Sequence, residues 1–301
     1  MHQILQKKIE KFYELKQAGQ LLPEKEKALP VLTDLLDLLE KGHVRVAERK
    51  QGVWQVNKWV KKGILLAFVL GDNRIYQDTP VTWFIDKDTV PLRKVGLEEG
   101  VRVVPPAAGL RRGSYAGPGC VFMSPAYANI GAYIDANTMV EGLAGSCCQV
   151  GQHCHLSAGT VIGGVLDPIE AGPVIIGDYV LLGENSGVTQ GTRLGNLVTL
   201  ASGVHISRAT AVLDPVNKVA YTNKGTAALI ETKNGNLKFF SVGELIQEKD
   251  DSYGPQIPAG ALIIPGVAIS STGTLKQAPL ITKYIQKPEE RAYALEEALR
   301  Q

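Results

Sequence analysis

His153, Cys154 and His155 place two imidazoles and a thiol on three consecutive residues. A metal centre needs its ligands to converge, but two histidines two apart on extended backbone flank a cysteine that points the other way. No further ligand set is evident in the sequence, so metal binding is not expected. Acid–base chemistry remains, because a neutral imidazole takes up a proton near physiological pH, and His205 adds a third candidate. The four cysteines (Cys120, Cys147, Cys148, Cys154) lack C-x-x-C spacing, and a vicinal pair makes a poor disulfide, so reduced structural thiols are expected. Gly-rich corners near Ser157, Gly163 and Gly164 offer backbone amides that could grip a carbonyl oxygen, although glycines also simply let a chain turn.

The elements that position these groups follow from a period of six. From Val150 the chain reads VGQHCH, LSAGTV, IGGVLD, then, after a break of eight residues, IGDYVL, LGENSG, VTQGTR, LGNLVT, LASGVH and ISRATA. Val150, Leu156, Ile162, Ile176, Leu182, Val188, Leu194, Leu200 and Ile206 open the hexads, usually followed by a small residue. Three such hexads, each a short strand and a tight turn, close one triangular coil, and stacked coils bury the aliphatic on the axis. The fifth position also points inward and is filled by Cys154, Thr160, Val180, Ser186, Thr192, Val198, Val204 and Thr210, with Leu166 the exception beside the break. A β-sandwich would not keep an aliphatic residue at every sixth position, so a left-handed parallel β-helix is expected. In this register His153, His155 and His205 face outward. The hexads by themselves indicate an acyltransferase-like scaffold.

Earlier coils are less regular, with Tyr115, Val121, one extra residue, then Ala128, Ile134 and Val140 read as inward. Ten residues separate Val140 from Val150 where two full hexads need twelve, so one coil is shortened. Upstream, Ile4, Ile9 and Phe12, and then Leu35, Leu36, Leu38 and Leu39, mark helical faces that stop at Gly42. A strand at RVAE, a turn at Gln51 and Gly52, and core positions for Trp54 and Trp59 complete a small α/β cap. Pro105 and Pro106 read as an extended linker held against another surface. The eight-residue break after Asp167 reads as an extruded loop suited to function. Asn234–Gly235 signals a hairpin, and Ala292, Leu295 and Leu299 a last helix. The expected organisation is mainly β: an N-terminal α/β helical domain over 1–101, the β-helix over 102–216 and a small C-terminal extension over 217–301.

With 301 residues, 45% hydrophobic content and net charge +2, the chain can bury a sizeable core but has no basic stripe for nucleic acid. Its longest apolar run, near Ile64 to Leu70, is too short to span a membrane, and the charged amphipathic start has no signal-peptide core. A cytoplasmic protein is expected.

The blocks RVAE, KWVKKGILLAF, RVVPPAA, NIGAYID, TMVE, GSC, HLSAG and IGGVLDP occur in an order and spacing that resemble the tetrahydrodipicolinate N-succinyltransferase family of bacterial lysine synthesis. The resemblance runs from about residue 31 to Ala211 and resumes at PAGA and the last helix. It implies a homotrimer with active sites between subunits, succinyl-CoA as co-substrate, no tightly bound cofactor and a dicarboxylic amine acceptor. It assigns substrate binding to Arg102, whose guanidinium can fork onto a carboxylate, and to Asn129, which opens NIGAY. It assigns the catalytic carboxylate to Glu141, in MVEGLAG where the family carries Asp in MVDTWAT. The family block GARSEVVEG is GENSGVTQG here, which leaves Gly187 at the position of its first Glu and makes Glu184, the nearest acid, the second candidate catalytic residue. Ser157, Gly163 and Gly164 are candidates for holding the acyl-CoA. A related N-acyltransferase using acetyl-CoA or another amino-acid acceptor, and a catalytically silent trimeric paralogue, are the alternatives.

Overall fold

The computed structural model describes residues 2–79, 82–231, 237–239, 254–269 and 275–290. Helices α1 (His2–Gln17), α2 (Lys25–Glu40) and α3 (Lys58–Leu70) pack with the hairpin β1 (Ala47–Lys50) and β2 (Val53–Val56). Leu5, Ile9 and Phe12 form the buried stripe of α1, whereas Ile4 is exposed, since it lies one position off the apolar face. Leu38 is likewise only half-buried on α2, beside the buried Leu35, Leu36 and Leu39. Gly63 lets α2 approach α3: a Cβ there would collide with Leu35. Trp59 is buried, but Trp54 is only half-buried, on the side of β2 where the Arg45 guanidinium lies 5.8 Å from its ring centroid.

The β-helix starts with the rung Arg102–Val103 and has three faces. The first face stacks Arg102–Val103, Val121–Phe122, Met139–Val140, His155–Leu156, Leu181–Leu182 and Thr199–Leu200 in parallel. The second runs from Gly109–Leu110 to His205–Ile206, and the third from Tyr115–Ala116 to Gln256–Ile257. Each two-residue rung sends its second residue inward, where the core includes Phe122, Ile134, Val140, Leu156 and Ile162, all nearly or fully buried. Burying one such side chain contributes about 1.5–3 kcal/mol.

The early register is more regular than the sequence reading. Ala116 and Phe122 point inward, while Tyr115 and Val121 point outward. Inward residues therefore recur at every sixth position from Leu110 through Val140 with no extra residue. The coil then loses two residues: Ala144 is the next inward residue after Val140, and only Glu141 and Gly142 form the corner. Thr210 is half-buried and not axial, because its hydroxyl accepts the Ser207 amide at 3.0 Å. Pro105 and Pro106 are exposed and turn the first corner, so the pair is not an extended linker.

The break after Asp167 does not project as a free loop. Ile169, Ala171 and Val174 are buried, and the fully buried Lys61 of α3 donates through Nζ to the carbonyl oxygens of Pro168 (3.0 Å), Ile169 (3.3 Å) and Ala171 (2.8 Å). Desolvation lowers the Lys61 pKa from its ordinary value, against the pull of Cys147, Asp167 and Glu170. Leu166, the irregular fifth position, packs on the helical core, as do Ile130 and Cys147 from coil corners. Nearby, Arg45 Nε donates to Gln149 Oε1 (3.0 Å), with its guanidinium 3.6 Å from the Tyr133 ring centroid, and Tyr133 stacks on Tyr115.

After His205–Ile206 the chain leaves the coils through Val212–Asp214, Val219–Thr222, Gly225–Glu231 and Leu237–Phe239, then returns for the rungs Gln256–Ile257 and Ala261–Ile264. The β-helix thus recruits residues beyond 216. Asp214 Oδ2 accepts the Tyr284 hydroxyl at 2.6 Å and Asn217 Nδ2 at 2.8 Å, joining the excursion to the strand Leu280–Tyr284. Asn234, Gly235 and the 292–299 segment lie outside the described residues.

Replacing Lys61 by Met leaves three carbonyls without their donor and should lower stability by about 2–4 kcal/mol, read from the urea midpoint. All four cysteines are buried thiols outside any disulfide, and burial pushes Cys120 up to about 11 and Cys147 up to about 12. A chromogenic disulfide reagent at pH 8 should therefore label none of them in the native protein and all of them in denaturant.

Candidate active site

The first corner of the β-helix gathers three of the residues nominated from sequence, one per coil. Glu141 follows the rung Met139–Val140, Ser157 follows His155–Leu156, and Glu184 lies two residues beyond Leu181–Leu182. With rungs about 4.8 Å apart, the Glu141 and Glu184 backbones are separated by roughly 10 Å along the axis. The stacking is fixed by main-chain bonds, Glu141 N–H to Leu156 O at 2.8 Å and Ser157 N–H to Leu182 O at 3.0 Å. Glu184 is exposed.

Glu141 owes its placement to the shortened corner. Gly142 must be glycine for the chain to pass, since any Cβ would collide with the Thr160 carbonyl oxygen in the coil above. The Glu141 side chain is 26% exposed, and its Oε1 lies 3.7 Å from His155 Nε2. His155 is itself 42% exposed by side chain, yet its Nε2 atom is shielded from solvent and has no hydrogen-bond partner. At 3.7 Å the pair is within ion-pair reach but beyond hydrogen-bond length. This neighbour of Glu141 was only an outward-facing alternative in the sequence. The usable signal was the sixteen-residue coil from Met139 to His155, which sets the two rungs in register at the corner.

The other histidines lie elsewhere. His153 occupies the corner between the third and first faces, stacked on Tyr179 at 4.9 Å with rings 6° from parallel. His205 lies on the second face, opposite Gly187. Its imidazole fills the space where a side chain at 187 would stand: a Cβ on Gly187 would collide with His205 Nδ1. The position that sequence left empty is therefore covered by a titratable ring from the next coil. Among the described residues no group of three or more His, Cys, Asp or Glu could hold a metal ion.

Arg102 is exposed at the foot of the outward column Arg102, Val121, Met139, His155 on the first face. It is two rungs, roughly 10 Å, below Met139. Asn129, Gly163 and Gly164 sit on the opposite edge, at the corner between the second and third faces. Asn129 Oδ1 accepts the Ile130 amide at 2.8 Å and Arg111 Nη1 at 3.3 Å. Arg111 in turn grips Asp86 with Nη2 at 2.8 and 2.7 Å. The amides of Ser157 and Gly163 are spent on the coil ladder, the latter on Val188 O at 2.8 Å, so neither is available to hold an acyl carbonyl. Gly163 and Gly164 instead allow coils to stack, against Thr189 and Ser146.

Two family models match this chain: the one described as tetrahydrodipicolinate N-succinyltransferase N-terminal over residues 4–70, and the hexapeptide repeat of succinyl-transferase over 173–208. A 2,3,4,5-tetrahydropyridine-2,6-dicarboxylate N-succinyltransferase from Polynucleobacter asymbioticus is 36% identical over 88% of this chain and 87% of its own length. The chain belongs to the tetrahydrodipicolinate N-succinyltransferase family. An Acinetobacter baylyi member with the same name is 35% identical over 89% of this chain and 88% of its own. A solved Campylobacter jejuni structure assigned as a 2,3,4,5-tetrahydropyridine-2-carboxylate N-succinyltransferase shares the fold, with a TM-score of 0.53 at 20% identity; the likeness covers 83% of this chain and 62% of that one. The helical cap and hexads of this N-succinyltransferase family member thus each have a family counterpart, one matching α1 to α3 and the other the later coils.

Because His205 covers Gly187, Gly187→Ala should lower stability by about 1–3 kcal/mol in the natural background and have little effect beside His205→Ala. Urea denaturation of the four chains of this cycle checks it.

Proposed function

We propose that this chain transfers a succinyl group from succinyl-CoA to the amine of ring-opened tetrahydrodipicolinate, a step of lysine and diaminopimelate synthesis. The observation that carries this reading is membership of the family across nearly the whole chain, together with a partly buried carboxylate, Glu141, at the corner where the coil is shortened. The thioester is already activated, so the protein has to align the amine, accept its proton and hold the oxyanion. The amine nitrogen attacks the thioester carbon, Glu141 takes the proton shed by nitrogen, the C–S bond breaks, and that proton passes on to the departing sulfur so that CoA leaves as the thiol. Arg102 receives a substrate carboxylate in its guanidinium fork, and Glu184 is the second acid of the same corner.

The assembly is a homotrimer with sites between subunits. In support, Glu141 and Glu184 lie on one edge of the second face, while Asn129, Gly163 and Gly164 lie on the other. One chain cannot close a pocket around both edges, whereas a neighbouring copy can bring its opposite edge to the first. Leu143 and Val161, exposed on the face between them, suit such a contact. Asn129 can contribute only its amide nitrogen, since its oxygen is engaged. Gly163 and Gly164 line the path of the acyl-CoA arm by their lack of a side chain, and Ser157 lines it with its small hydroxymethyl group. No helix among the described residues is long and apolar enough to cross a membrane, and the protein works in the cytoplasm.

A second reading, acetyl-CoA or another amino-acid acceptor on the same scaffold, is favoured by His205 over Gly187, which puts an imidazole on the second face. Thiol release from succinyl-CoA and acetyl-CoA, each with tetrahydrodipicolinate and with L-2-aminopimelate, separates the two. Acceptor-dependent release with succinyl-CoA and tetrahydrodipicolinate is expected, reduced about 10²–10⁴-fold in Glu141→Ala. Release only with another pair selects the second reading; a folded protein that binds CoA without turnover is a silent paralogue.

A further inference from the structure

His155 was left without a role in the transfer, and its surroundings supply one. The imidazole stands on the outward column between Met139 below and Leu181 above, both uncharged, so its ionisable neighbours are Glu141 at 3.7 Å and, on the same corner one coil higher, the exposed Glu184. Nε2 is turned to the Glu141 carboxylate, is closed to solvent and bonds to nothing, although the ring as a whole is open enough for a ligand to reach. A buried, unsatisfied ring nitrogen is costly unless something completes it. The coil is shortened by two residues at this one corner, which draws Glu141 under the ring.

We propose that Glu141 and His155 work as a carboxylate–imidazole pair in which His155 relays the proton that Glu141 removes. The inference rests on the acyl-transfer reading given above. The amine proton passes to Glu141 as the N–C bond forms; the carboxylic acid then donates to the idle lone pair of His155 Nε2. The imidazolium holds that proton until the C–S bond breaks and then returns it through Glu141 to the CoA sulfur, so carboxylate and imidazole both end as they began. A closure of about 1 Å brings the pair to hydrogen-bond length, the tightening expected when substrate fills such a site. His155 is thereby a positioning and relay residue that acts through Glu141.

The test is a kinetic cycle of wild type, Glu141→Gln, His155→Gln and the double variant, on folded protein whose CoA affinity is measured separately. His155→Gln should lower kcat about 100-fold with KM nearly unchanged, and adding it to Glu141→Gln should cost little more, as for groups that act as a unit. His155→Ala should regain turnover with added imidazole. Full kcat in His155→Gln, or independent multiplying losses in the double variant, overturns the relay while leaving the acyl-transfer reading intact. No acceptor-dependent thiol release from wild type with any donor and acceptor overturns that reading, and the relay with it, since there is then no proton to carry. Should His155→Gln fail to fold, His155→Asn takes its place in the cycle.

Discussion

A parallel β-helix finds its hydrogen-bond partners in its own next coil, so the chain must come back to the same place on every circuit. The polar backbone sets that requirement, because an unpaired buried amide or carbonyl costs more than any one side-chain contact returns. Everything else in the molecule adjusts to it. Inward residues must be aliphatic or small, corners must admit the coil above, and any change in circuit length must be absorbed without breaking the ladder. Met139–Val140 pairs in register with His155–Leu156 across a coil of sixteen residues, and His155–Leu156 pairs with Leu181–Leu182 across twenty-six. Eighteen is the common circuit, as from Leu181 to Thr199.

The sixteen-residue and the twenty-six-residue circuits are accommodated in opposite ways. The short circuit removes residues from a corner and relies on Gly142, whose missing side chain lets Thr160 sit directly above it. The long circuit folds its surplus against α3, where the Lys61 ammonium supplies the donors that the missing ladder would have provided. That ammonium is one physical link between the helical cap and the coils; the Arg45 guanidinium between Gln149 and Tyr133 is another. Both are charged groups whose burial is offset by several acceptors or an aromatic face. The cap consequently lies against the third face and the corner between the second and third, away from the corner that carries Glu141.

Much of this was legible in the sequence, because an aliphatic residue every six positions encodes both the coil and its axis. The register from Val150 on, the lost residues near Glu141 and the buried thiols could all be read that way. Tyr115 misled because a large apolar residue also occupies an outward position where the cap covers the face, its ring lying against Gly42, and Val121 because it too points out of its rung; Ala116 and Phe122 then carry the core. The fate of the break could not be read at all, since nothing local to PIEAGPVI says that a lysine more than a hundred residues earlier will hold it. At the candidate site, the nomination of Glu141 came from family likeness, but its closeness to His155 depends on counting through a shortened circuit. The ring of His205 over Gly187 was hidden for the same reason: a glycine reads as an absence until the coil above is placed.

The direction of the strands at the far end of the first face bears on how the protein avoids polymerising. A stack of parallel rungs ends in an edge that invites another chain to continue it. Here the rung Ala261–Ile264 is followed by Leu280–Tyr284 running the opposite way, then by Val212–Asp214, Val219–Thr222 and Gly225–Glu231. These strands of three to seven residues have no six-residue period and no matching corners. A second β-helix presented to that end meets an antiparallel ribbon in place of a parallel rung, so its coils cannot continue this stack in register.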